Sequence, residues 1–488
     1  MHSVGSSFTK NIHKNIKLIK EHLYNSPELS IRFIQLKTNR KYYGALLYID
    51  GIVNTELIRE SIIEPLLNIK KIDEDTFMCT IALQHIRSES IEEVTSISST
   101  IDGIIRGKTL VLVDGYESGI LIDTAEWQQR TIEQSTRQRN IEGPLIAFSE
   151  QLKGNLNLLH NMIPSPTLMV EKRKIGRKTK TDVAIVFLTE RVDQSALNEV
   201  RNRIDTLQVD YVLESKIIEE AVEGNQKTIF PLTFTTELPD SITAALYEGR
   251  IAIIVNGTPS ATIVPNLFVQ YFQHPSDYYS KLTSLTRLLT FICFFVSFLL
   301  PGIYVSIANF HENWFSKKVT KHILSSSDTL LPFWLEILLL LLLLHILAIG
   351  SYRVSKELLI LVSLISTVTI GATAVDAKLI HPLSLIIIGV TYLTNTLLTN
   401  TAMSFAINFL RYIFLFLGSL FGIWGIGIGL IILFIHLACL RSVGVPYLAP
   451  IIPFNLKEFK DVFFRGDLQK LINSTHKYPH DETDKTSR

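Results

Sequence analysis

Cysteine is scarce, with Cys79, Cys293 and Cys439 the only three in 488 residues, and none stands in the short paired spacing that builds a zinc site or a disulfide frame. They read as small buried apolar residues, and no metal site is expected. An excess of charge is missing too: 47 Lys and Arg face 46 Asp and Glu, which argues against a nucleic-acid partner. The chain also lacks a GxxxxGKS/T loop, an HExxH helix, a GxSxG elbow and a GxGxxG turn after a strand, so the common phosphate, zinc and acyl-transfer machineries have no signature. No catalytic residue is assigned, no cofactor is expected, and the isolated His160, His274 and His311 receive no role. Lys10, Lys14, Lys17 and Lys20 occur near the start without an apolar run of signal-peptide length. The expectation is an N-terminal region facing the cytoplasm.

What is plentiful is apolar sequence, and it is unevenly placed. Between Leu288 and Arg441 only 13 of 154 residues are Asp, Glu, Lys or Arg, so two solvents are served by two regions. The polar region holds an internal repeat. Gly44–Asn54 aligns with Val183–Asp193 as a buried strand, each followed by a helical pattern, and Gly107–Gly115 aligns with Gly249–Gly257 in residue type. Asp114-Gly115 and Asn256-Gly257 are turn dipeptides, expected to form hairpins and to offer strand edges for assembly. The reading is an α+β multi-domain membrane protein: an N-terminal helical, polar segment (1–40), a first α/β lobe (41–123), a helical connector (124–165), a second α/β lobe (166–280), a transmembrane helical domain (281–441) and a polar tail (442–488).

Five apolar runs follow: 288–310, which Pro301-Gly302 should kink, 329–350 with Glu336 and His345, 358–377, 379–400, and 412–440 between Arg411 and Arg441. They give four to five crossings. Lys317, Lys318 and Lys321 after the first run strain the positive-inside rule, which a re-entrant first segment or an interfacial second one, with Glu336 at the headgroups, would relieve.

In the third run Val362, Ser366, Thr369, Thr373 and Asp376 share one stripe at helical spacing, either a packing face or the lining of a narrow, cation-tolerant passage between symmetry-related copies. Thr391, Asn395 and Thr399 form a second stripe, its other wall or helix-packing glue. Gly418, Gly422, Gly425 and Gly429 stand in two GxxxG spacings that permit close helix packing. The basic run 172–180 puts six cations into nine positions, a solvated loop or a contact with anionic lipid or an acidic partner surface.

A longer pattern carries a family resemblance. Ile175–Thr181, Glu237–Asp240, Leu246–Arg250, Asn256–Pro259, Ile263–Pro265, Asp277–Tyr279 and Leu440–Pro450 (LRSVGVPYLAP) together resemble the A subunit of bacterial spore germinant receptors, the GerA family, from about Tyr42 to Pro453. The connector departs from the family pattern, with only Gly143-Pro144 and Phe148 of 135–148 matching. The resemblance implies a non-enzymatic subunit of the spore inner membrane that forms a homo-oligomer acting as a nutrient-gated ion channel. It further implies a transporter-like B subunit that senses the nutrient and a lipoprotein C subunit as partners. A membrane transporter, a membrane-anchored scaffold or an amplifier of ion release in the same pathway stand as alternatives.

Overall fold

The computed structural model describes residues 7–37, 41–67, 86, 90–126, 146–272, 283–310, 330–351, 372–397 and 401–454. The described residues fall into two compact units, one within 7–224 and 233–265, the other within 225–232 and 266–454.

The first unit contains the repeat. Strands β1 (Leu29–Lys37), β2 (Lys41–Ile49), β3 (Ile91–Val94), β4 (Lys108–Val113) and β5 (Gly119–Asp123) form an antiparallel sheet in the order β1-β2-β4-β5-β3. Strands β6 (Leu168–Ile175), β7 (Thr181–Leu188), β8 (Phe234–Thr236), β9 (Ile251–Val255) and β10 (Ala261–Val264) repeat that order as β6-β7-β9-β10-β8. Every residue of β9 is buried, which its unbroken Ile-Ala-Ile-Ile-Val run requires of a strand covered on both faces.

The helices repeat as well. α1 (Ile12–His22) puts Ile12, Ile16 and Ile19 on one buried face, and α2 (Ile97–Ile105) follows β3. In the second lobe α3 (Leu152–Met162) buries Leu152, Leu156 and Leu159, α4 (Gln194–Asp205) starts on the Asp193 cap, α5 is Ser215–Glu223, and α6 (Pro239–Tyr247) starts with proline at its first turn.

Two expected boundaries move. β1 pairs with β2 along its whole length, so 29–37 belongs to the first sheet and not to a separate N-terminal segment. α3 packs with Phe148 against β7, β9 and α6, so the second lobe begins inside the expected connector. The two starts are built alike. Asn15 Oδ1 accepts from Thr9 N at 2.9 Å while Asn15 Nδ2 donates to Thr9 O at 2.6 Å, and Asn155 makes the same pair with Ser149 at 2.9 and 2.6 Å.

The turn dipeptides work inside the lobes. Asp114 Oδ1 accepts from Ile12 N and Asn256 Oδ1 from Leu152 N, both at 3.1 Å, so each turn holds the start of its lobe's first helix. Gly115 N and Gly257 N donate to Lys10 O and Glu150 O at 2.8 Å. This corrects the expectation of docking edges, because β4 and β9 lie within their sheets and the edges are β1, β3, β6 and β8. Gly257 has φ +92° in open space, whereas Gly249 has φ +89° and a Cβ there would lie 2.6 Å from Arg191 O.

Between the lobes, Glu28 beside β1 and His160 of α3 are both buried, with Nε2 2.9 Å from Oε2; the carboxylate can only accept, so Nε2 carries the proton. Lys172 Nζ approaches Glu28 Oε1 at 3.2 Å, and the basic run is further neutralised by Arg173–Asp205 and Arg177–Asp210 pairs. Lys153 meets Glu126 at 2.8 Å and Asn157 Nδ2 donates to Glu126 O at 2.7 Å.

The second unit is helical: α7 (Thr283–Phe310), α8 (Phe333–Ser351), α9 (Ala372–Asp376), α10 (Pro382–Thr396) and α11 (Thr401–Cys439). Three of these, α7, α8 and α11, are long and apolar enough to cross a membrane, and α10 is a shorter apolar helix. α7 continues through Pro301. Its Gly302 lies where a Cβ would sit 2.5 Å from Phe414 O, and a Cβ on Gly418 would strike Gly302 O, so these glycines let two backbones touch.

α11 differs from the single crossing expected at 412–440, because Gly422 adopts φ 60°, ψ −148° and breaks the helix. A Cβ on Gly425 would lie 2.6 Å from Leu417 O, and one on Gly429 would lie 2.7 Å from Leu417 Cδ1 and 3.0 Å from Phe414 Cε1. These contacts are symmetric about the break, so 401–421 and 423–439 form a helical hairpin with glycines along its seam. Beyond it, β11 (Arg441–Ser442) and β12 (Val445–Pro446) pair, and Ser442, Val443, Val445, Tyr447, Leu448 and Ala449 are buried. The polar tail therefore does not start at 442; an SVGVPYLA segment is apolar enough to be packed.

Two stability tests follow from the first unit. Glu28→Ala leaves His160 buried without its partner and should cost about 3 to 5 kcal/mol, read as a lowered thermal midpoint of the full-length protein; an unchanged midpoint would show that the Glu28–His160 contact does not hold the lobes together. In the same assay Gly257→Ala should cost only about 1 kcal/mol for its backbone conformation, while Gly249→Ala should cost clearly more, because Arg191 O must also shift.

Candidate functional site in the helical bundle

Helix directions define the site. Tyr304 of α7 meets Ser384 of α10, and one level along, Ser297 of α7 and Tyr392 of α10 both meet Arg411 of α11. α7 and α10 are therefore antiparallel. Glu336 of α8 lies at the first level, while His345 stacks edge-on against Tyr412, beside Arg411, at the second. α8 and α10 thus run in the same direction, and Leu330 N donates to Lys378 O at 3.1 Å, which places the residues after α9 at the starting end of α8.

The first level is a chain of hydroxyls ending on a carboxylate. Glu336 is fully buried, and its Oε2 accepts from His381 N at 3.1 Å and from Ser384 Oγ at 2.9 Å. Since that bond uses the only hydroxyl hydrogen of Ser384, Tyr304, 3.3 Å away, must be the donor to Ser384. Oε1 of Glu336 has no partner among the described residues. The interfacial placement considered for Glu336 is thereby corrected: Phe333, Ile337, Leu340, Tyr304 and Ile388 enclose its surroundings in one apolar cluster.

The second level carries the opposite charge. Arg411 is 2% exposed, donates from Nε to Ser297 O at 2.8 Å and lies over the Tyr392 ring at 5.1 Å, while one Nη has no partner among the described residues. Among the described residues no acidic side chain pairs with it and no basic one pairs with Glu336. The levels are separated by seven residues of α7, about 10 Å along its axis, too far for direct pairing.

An unpaired charge inside apolar surroundings is costly and draws a counter-charge, a proton or water. The open oxygen of Glu336 can take a proton or a cation, and the open nitrogen of Arg411 can hold an acceptor. In the sequence Glu336 stands out as the acid in a leucine-rich run, whereas Arg411 reads as the boundary of the last apolar run. An arginine within a long apolar stretch was the available signal.

The stripe residues are distributed differently. Thr373 and Asp376 are exposed on α9, while Val362, Ser366, Thr369 and Thr399 lie outside the described residues. Thr391 is buried and its hydroxyl donates to Ile387 O of its own helix at 2.7 Å; the Asn395 Oδ1 is buried without a partner among the described residues. Of the glycines, Gly418 faces α7, Gly422 makes the break, and Gly425 and Gly429 line the hairpin seam.

Known proteins of similar sequence cover both units. Spore germination protein KA of Bacillus subtilis (strain 168) is 32% identical over 461 residues, 93% of this chain and 84% of that protein. Spore germination protein A1 of the same organism is 26% identical over 484 residues, 99% of each. A crystal structure of the N-terminal domain of the A subunit of the Bacillus megaterium spore germinant receptor GerK3 aligns with a TM-score of 0.40 and 27% identity, covering 54% of this chain and 98% of that one. Residues 17–476 match the family described as Bacillus/Clostridium GerA spore germination protein, and the chain belongs to that family.

Proposed function

We propose that this chain is the A subunit of a nutrient-responsive germinant receptor, a non-enzymatic membrane subunit that oligomerises in the spore inner membrane and passes ions when nutrient binds. Its partners are a transporter-like B subunit, which senses the nutrient, and a lipoprotein C subunit, with the two lobes on the cytoplasmic side. Family membership supports the pathway, and Glu336 carries the ion-passing reading: a buried carboxylate with an open oxygen, reached through Tyr304 and Ser384, is a stepping point for a cation or a proton.

In this reading the described helices α7, α8, α10 and the two legs of α11 supply five passes, with α8 and α10 running in the same direction. Thr373 and Asp376, exposed on α9, serve as the mouth of the passage.

Nutrient-triggered ion release from spores tests this. Glu336→Gln keeps size and removes the charge, and Thr373→Leu removes a hydroxyl at the mouth; each should lower release several-fold at unchanged receptor abundance. Parent-level release from abundant variants would overturn the passage. Conductance of the reconstituted complex separates the alternatives, with saturable coupled flux marking a transporter and no flux a scaffold.

A further inference from the structure

Several long-range polar contacts of the second unit converge on the LRSVGVPYLAP segment. Within the described residues the chain passes between the two compact units at three points: 224/225, 232/233 and 265/266. Residues beside all three are held by β11.

Gln226, two residues after the first point, pairs with the backbone of Arg441 as a strand would: its Nε2 donates to Arg441 O at 2.5 Å and its Oε1 accepts from Arg441 N at 3.1 Å. Ser442 serves the other two points with one hydroxyl, donating to Leu232 O at 2.6 Å and accepting from Asn266 N at 2.9 Å. Ser442, Leu232 and Asn266 are each 1% exposed or less. Around this core, Thr228 Oγ1 lies 3.1 Å from His436 Nε2 in the last turn of α11, and Phe268 N donates to Tyr447 O at 2.9 Å. Asn266 Nδ2 donates to the Tyr271 hydroxyl at 2.6 Å, which donates on to Pro231 O at 3.1 Å.

We infer that the β11–β12 hairpin is a joint that ties the three described passages of chain between the second lobe and the second unit to the C-terminal leg of α11. Held on one buried hairpin, the three stretches are ordered together, so loosening one of them loosens the strands it leads into. The joint has a definite direction of dependence: Gln226 and Ser442 are positioning residues that fix the linkers, and neither touches the charged centres of the bundle. Its action does not depend on which ion, if any, the bundle passes.

Hydrogen exchange on the purified full-length protein in lipid nanodiscs tests the joint without nutrient or partner, so the receptor reading and this one can fail separately. Gln226→Ala, at a half-buried site, should speed exchange about tenfold at Phe234–Thr236 and also at Ser442–Val445, with Lys108–Val113 of the first lobe unchanged. Acceleration confined to 225–232 would overturn the proposal. Should the first lobe also lose protection, Ser442→Ala and Ser442→Thr decide: the threonine keeps the hydroxyl and should restore slow exchange on both sides. Equal behaviour of the two variants would overturn the joint.

Discussion

Inside hydrocarbon a polar group must find its partner within the protein, and this requirement shapes the helical unit more than helix propensity does. Ser297 directs its hydroxyl to Phe294 O of its own helix, and Thr391 does the same with Ile387 O. Glu336 and Arg411 cannot be satisfied in that way. They draw α7, α8, α10 and α11 together at two levels, and each still keeps one polar atom open. The glycines act on the same bundle from the opposite direction. Gly302 and Gly418 bring α7 and α11 close enough for backbone contact, which sets the spacing at which Arg411 reaches Ser297.

The soluble unit follows another rule, duplication. Both lobes use one strand order, one helix-capping turn and one asparagine clasp at the start. Their junction is polar and specific, so the lobes are joined by the Glu28–His160–Lys172 cluster and the Glu126 contacts and not by a continuous apolar core. Shared architecture gives each lobe its own core, and the few charged contacts between them set how the pair is held.

Much of this was legible. The matched strands, the paired Gly-Asp/Asn-Gly turns and the apolar runs carry local periodicity, which sequence displays directly. Partnerships across long separations are not displayed. Asp114 gives no sign that it holds Ile12, 102 residues earlier, nor Glu336 that it accepts from Ser384, 48 residues later. The start of the repeat is not legible in the sequence because Phe8, Asn11 and Asn15 align with Phe148, Gln151 and Asn155 amid otherwise unlike residues. Glycine spacing revealed that α11 would pack tightly, but the same spacing serves packing against α7, a break at Gly422 and packing of the helix on itself. Only coordinates separate those uses.

The hairpin of α11 also bears on how the protein is made. Its second leg, 423–439, has 17 residues, at the short limit for crossing a bilayer about 30 Å thick, and its three glycines, Gly425, Gly427 and Gly429, weaken it as an independent helix. The first leg carries Arg411, whose insertion alone would expose a guanidinium to lipid. Each leg is a poor candidate for entering the membrane by itself, and each supplies what the other lacks. The two are therefore best regarded as one insertion unit, delivered to the bilayer after Cys439 has been synthesised, with α7 already in place to receive Arg411.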